Sequence, residues 1–161
     1  MPAKKEPFAL LSRVQTSFQQ LSTAASTLNA ESDQLTKQVA ELDSALKPLN
    51  VGLVCWIDLP GGWTSPDHSE SYSEQVGYAK VGGKWGISIR TVKCWEFAEE
   101  SKVEEYAFND APRRLRLAAV DYIPELLEAL VEAAAKATER ISRKTAEVQQ
   151  LVAAVRGSII K

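Results

Sequence analysis

The sequence predicts an α+β protein: a long antiparallel helical hairpin with coiled-coil packing, flanking a small antiparallel β-sheet insert. Three observations carry that expectation. An apolar repeat spaced three then four residues apart runs from Leu11 to Leu49, the middle of the chain changes to a period of two, and heptad spacing returns from Val120 to Val155. At 161 residues, with 45% hydrophobic and 25% charged residues, the chain suits one folded domain over 1–161 rather than a disordered tail.

The first long helix is expected over 6–48. Leu11, Phe18, Ala25, Ser32, Val39 and Leu46 take the a positions, and Val14, Leu21, Leu28, Leu35, Leu42 and Leu49 the d positions. A seven-residue period held this long keeps one seam turned toward a partner helix, which is the condition for supercoiling. Pro7 is tolerated in a first turn, while Pro48 and Asn50 end the run.

Residues 51–108 read as an antiparallel β region. Val51, Leu53, Cys55 and Ile57 alternate with Gly52, Val54, Trp56 and Asp58 as a first strand. Pro60 to Ser71 reads as a mobile loop. Gln75–Val81, Gly82-Gly83 and Lys84–Thr91 then form a strand, a two-residue turn and a strand, because two glycines can supply the positive φ angles of a primed hairpin turn. Trp85, Ile87 and Ile89 alternate with Lys84, Gly86, Ser88 and Arg90, so one face is apolar and the other can present charge. Short strands at Lys93–Ala98 and Val103–Phe108 complete a meander. Cys55 and Cys94, the only cysteines, sit in these runs as small buried hydrophobes.

The second long helix is expected over 110–158, entered through Asn109-Asp110-Ala111-Pro112. Val120, Ile123, Leu127, Leu130, Ala134, Ala137, Ile141, Val148, Leu151 and Val155 keep heptad spacing, with Lys144 the single interruption. Pro124 lacks a backbone donor and clashes with the preceding turn, so it predicts either a kink or a short helix followed by a longer one. Folded back on the first helix, the second pairs Phe18 with Leu151, Leu21 with Val148 and Leu28 with Ile141, and places Ala25 beside Lys144. The apolar face at Leu126, Leu130, Val131 and Ala134 is wider than a two-helix seam covers. It either meets another copy in a homo-oligomer or packs under the β region of its own chain.

Helix, β hairpins and returning helix resemble the architecture of prefoldin subunits, whose strands assemble a platform from which coiled coils project. The resemblance implies an oligomeric holdase acting on a protein client.

The residues give catalysis little to work with. His68, the only histidine, neighbours Ser65, Asp67 and Ser69 in a loop, where a base has no orienting group or oxyanion site. One histidine and two separated cysteines are too few for a classical zinc site, and Gly82-Gly83-Lys84 lacks the spacing of a phosphate-binding P-loop. The expectation is a non-enzymatic binding or assembly module with no catalytic residue, metal or cofactor. All four tryptophans fall in the middle segment. They fill a small core or, alternatively, Trp85 and Trp95 stack on a planar nucleotide-like anion held by Lys84, Arg90, Arg113, Arg114 and Arg116. A formal charge of -2 provides no basic field for general nucleic-acid binding. With no stretch long enough for a membrane span, a cytoplasmic location is expected.

Overall fold

The computed structural model describes residues 7–49, 51–96 and 101–159. It combines helix and sheet, and divides into two compact units over 1–42 and 43–161. Helix α1 (Pro7–Leu46) is 40 residues long, about 60 Å at the α-helical rise. Its threonines bond back to the carbonyl four residues earlier, as Thr23 does to Gln19 at 3.2 Å and Thr27 to Thr23 at 3.1 Å. Their hydroxyls are thereby satisfied without leaving the helix.

The second unit is built on an open five-stranded antiparallel sheet. Strands β1 (Cys55–Asp58), β3 (Glu70–Val81), β4 (Lys84–Trp95) and β5 (Lys102–Ala107) lie side by side in that order, and β2 (Trp63–Thr64) also pairs with β3. The hairpin turn is as expected: Gly82 and Gly83 have φ of 57° and 82°. Other boundaries move. Only the last four residues of the expected first strand pair, and Lys93–Trp95 is the end of β4 rather than a new strand. Residues 97 and 98 of that expected strand lie outside the described residues. The expected loop over 60–71 is tied down at both ends, because Trp63 and Thr64 pair with Tyr72 and Ser71. Within it, the Ser65 amide donates to Glu70 O at 2.8 Å, and Asp67 Oδ1 accepts from the hydroxyls of Ser65 and Ser69 at 2.6 and 2.8 Å. Those hydrogen bonds pull the Asp67 pKa down to about 2.

Directly paired residues share a sheet face, so the register sorts the side chains. Cys55, Ile57, Glu74, Val76, Tyr78, Ile87 and Ile89 share one face. Val76 and Ile89, opposite one another, are fully buried at its centre. Helix α2 (Arg113–Val120) and helix α3 (Ile123–Ile159) cover this face, contributing Leu115, Ala119, Leu126 and Leu130 to the core. The expected second helix is thus two, broken at Asp121–Tyr122. Pro124 stands second in α3, where a missing amide costs no helical bond.

Burial of Leu126 and Leu130 corrects the interface expectation at these positions. An apolar helix face packs on the nearest uncovered layer, here β1 and β3 of the same chain. Ala134 is half-buried and Val131, at 71% exposure, is the one of the four left outward. The seam positions of both long helices are exposed in their distal parts, including Phe18 and Leu21 of α1 and Ile141, Val148 and Leu151 of α3. No helix among the described residues is long and apolar enough to cross a membrane.

On the opposite sheet face, Trp56 lies over Gly77. A Cβ at Gly77 would stand 2.4 Å from both Cys55 O and the Trp56 ring. Gly77→Ala should therefore cost about 3 kcal/mol in urea denaturation, since backbone and a packed indole must both shift. Gly157→Ala in α3 meets nothing within 4 Å and should gain about 0.5 kcal/mol from helix propensity.

Candidate functional site

The residues expected to hold a planar anion come apart in the fold. Trp85 and Trp95 share the helix-bearing face but occupy opposite ends of the 12-residue strand β4, about 33 Å apart at the strand rise. Arg90 is on the other face, where its Nε donates to Gln75 Oε1 at 2.5 Å and its guanidinium lies 4.3 Å from the Trp56 ring centroid. Gln75 in turn donates to Asp58 Oδ1 at 2.6 Å, and Arg90 Nη1 is 4.0 Å from Glu105 Oε1. A polar row thus crosses β1, β3, β4 and β5. Arg90 is occupied by that row.

Arg114 is occupied as well. Glu74 points from β3 into the helix-bearing face and is only 2% exposed. Burying a carboxylate demands a cation and hydrogen-bond donors, and both are present. Arg114 Nη1 donates to Oε2 at 3.1 Å, Nη2 donates to Oε1, and the Tyr72 hydroxyl donates to Oε1 at 2.9 Å. Gly61 closes the other side, where a Cβ would fall 2.1 Å from Glu74 Oε2. The adjacent amide of Leu59 donates to Glu74 O at 2.7 Å. Arg114 holds the Glu74 carboxyl below its usual range, whereas burial and the neighbouring carboxylate raise Tyr72. Arg113 and Arg116 are half-buried on the same helix.

Two of the expected residues do come together. Lys84 and Trp85 line a cavity of about 300 Å³ with Lys47, Gly52 and Tyr78, at the hairpin end of the sheet. The Tyr78 and Trp85 rings are stacked there, 5.7 Å between centroids and 18° between planes. The far wall comes from the segment leading into β1, which turns at Gly52 with φ 59°. Lys47 follows α1 in a short 3₁₀ turn (Lys47–Leu49), and its Nζ is 3.5 Å from Asp43 Oδ2. Asp43 Oδ1 accepts the Ile87 amide at 2.9 Å, fixing the end of α1 to β4. Sequence reasoning missed Lys47, Gly52 and Tyr78; the positive φ of Gly52 leaves no periodic signal.

The Glu74–Arg114 pair makes a pH-dependent contribution to stability. A carboxyl whose folded pKa lies below its unfolded value, about 4.3, stabilises the fold above that value and loses the contribution as pH falls through the folded pKa. Arg114→Ala should cost about 2 kcal/mol at pH 7, a figure reduced because the guanidinium is largely exposed. In denaturation experiments the deficit against the parent should shrink as pH falls below the unfolded carboxyl value and on through the lowered folded one.

Among the described residues no group of three or more histidine, cysteine, aspartate or glutamate side chains is placed to hold a metal ion. Comparison with known protein families, characterised proteins and solved structures finds no match to this chain.

Proposed function

We propose that the chain is a non-enzymatic assembly module: its two long helices pair antiparallel as a coiled-coil hairpin, and their remaining apolar surface takes a second copy. The observation that supports this reading is the exposure of a periodic stripe on each helix. Phe18 is 70% exposed and Leu151 65%, with Leu11, Val14, Leu21, Leu28, Ile141, Val148 and Val155 exposed beside them. Periodic apolar surface on this scale is destined for burial against a partner. The exposed stretches, Leu11 to Leu28 on α1 and Ile141 to Val155 on α3, are of similar length, so one stripe can cover the other. Val131, Val152 and Leu10, exposed and off the heptad seam, supply the surface for a further copy.

Charge does little to select another partner. Gln15, Ser17, Ser22, Ala24, Asn29, Thr36 and Gln38, beside the first seam, are neutral, so shape and apolar area govern association. The cationic interruption Lys144 lies 2.6 Å from Glu147 Oε2 on its own helix. In the paired hairpin its stem lies in the Ala25 layer while its amine reaches solvent.

Light scattering at micromolar concentration should give a dimer or larger species. The double variant Ile141→Glu, Val148→Glu should weaken association at least about tenfold by placing unpaired carboxylates in the seam. Its sheet should persist by circular dichroism. A parent that stays monomeric overturns the assembly reading. The holdase reading, favoured by exposed Leu10, Leu11, Val14 and Phe18 near the start of α1, requires that the parent suppress aggregation of a denatured client.

A further inference from the structure

We propose that the cavity at the hairpin end of the sheet binds a small planar anion, a single aromatic ring system bearing one phosphate or carboxylate. The ring packs against the Tyr78–Trp85 pair and the anionic group meets the ammonium groups of Lys47 and Lys84. This inference is independent of helix assembly, since every lining residue belongs to the unit over 43–161.

Ring geometry, charge and size each narrow the ligand. Trp85 presents an aromatic face backed by the nearly parallel ring of buried Tyr78, 18° between planes, which favours a flat π-system over a branched aliphatic group. Trp85 is half-buried in the helix-bearing face, whereas Lys84, exposed at the first position of β4 and alternating to the other face, borders the cavity from the strand end, where its long side chain can reorient. Two lysines border the space, and a third, Lys80, stands directly across from Trp85 on β3. The nearby carboxylate of Asp43 is already engaged by the Ile87 amide and by Lys47. Its charge offsets only one lysine, so the rim remains positive and disfavours a cationic ligand.

The volume of about 300 Å³ is at the lower end for small-molecule sites. It accommodates one ring system with its anionic group and excludes a dinucleotide. Gly52 lines the space without a side chain as it turns the chain, and Gly82-Gly83 turns the hairpin immediately before Lys84.

The test uses the full chain and three probes: phenyl phosphate, benzoate and inorganic phosphate. The indole N–H signal of Trp85, assigned by its loss in Trp85→Phe, is followed by NMR. We expect a saturable shift with phenyl phosphate or benzoate at a Kd below about 1 mM, and binding of inorganic phosphate at least about tenfold weaker. Response to the phosphate alone, the carboxylate alone or both identifies the accepted anionic group. Lys84→Ala, at an exposed turn position and so compatible with folding, should weaken binding about fivefold or more. Lys47→Ala should do the same, and Arg114→Ala, on α2 and outside the cavity, should leave it unchanged. No saturable shift with either aromatic probe to about 10 mM, or equal affinity in the parent and both lysine variants, overturns the proposal.

Discussion

Glu74 places a carboxylate inside the helix-bearing face of the sheet, and the local fold is arranged around its charge. Stripped of partners, that carboxylate would cost several kcal/mol. Arg114 therefore has to reach it from α2, which fixes where α2 lies on β3 and where α3 begins. Tyr72 supplies another donor from the same strand and stacks on Trp63 of β2, 6.3 Å between ring centroids. The segment at Gly61 can approach because it carries no side chain. One buried charge thus ties together a short edge strand, a loop and a helix that apolar contacts alone would hold less specifically.

The two sheet faces solve different problems. On the helix-bearing face, Val76, Ile89, Leu115 and Leu126 exclude water, and the hydrophobic effect dominates. On the other, a half-buried indole over a glycine and a row of polar side chains bridge the strands. Cys55 and Cys94 divide in the same way, one facing the helices and the other directed to the opposite face. Both thiols are free. Burial, with the nearby Glu132 charge, raises the Cys55 pKa and disfavours its reactive thiolate form.

Much of this architecture could be read from residue spacing. The heptads located long helices, Gly82-Gly83 located the hairpin, and Pro124 announced a discontinuity because a ring without an amide belongs near a helix start. The proposed ligand set was less legible. Period-two alternation already separates Trp85 from Arg90, and ten residues of strand already separate Trp85 from Trp95, so shared residue chemistry does not bring them together. Glu74 and Tyr72 were missed because a charged residue in a strand ordinarily marks a solvated face, and the arginine that reverses this rule lies forty residues away. The two-residue strand β2 is too short for alternation to register. Leu126 and Leu130 carried the right apolar signal, but periodicity gives the face to be buried and not the layer that buries it.

The row from Asp58 through Gln75 and Arg90 to Glu105 bears on how the strands find their alignment. A slip of one residue turns every side chain to the wrong face, and the hydrophobic pattern forbids it. A slip of two preserves the faces, so the pattern alone discriminates against it only weakly. Such a slip would break the Asp58–Gln75 or Gln75–Arg90 contact at whichever strand pair moved. Between β1 and β3 it would also seat Trp56 on Gln75 or Ala79 instead of Gly77. The row and the indole therefore act as a key cut to a single alignment, distinguishing the native pairing from the alternatives that burial would accept.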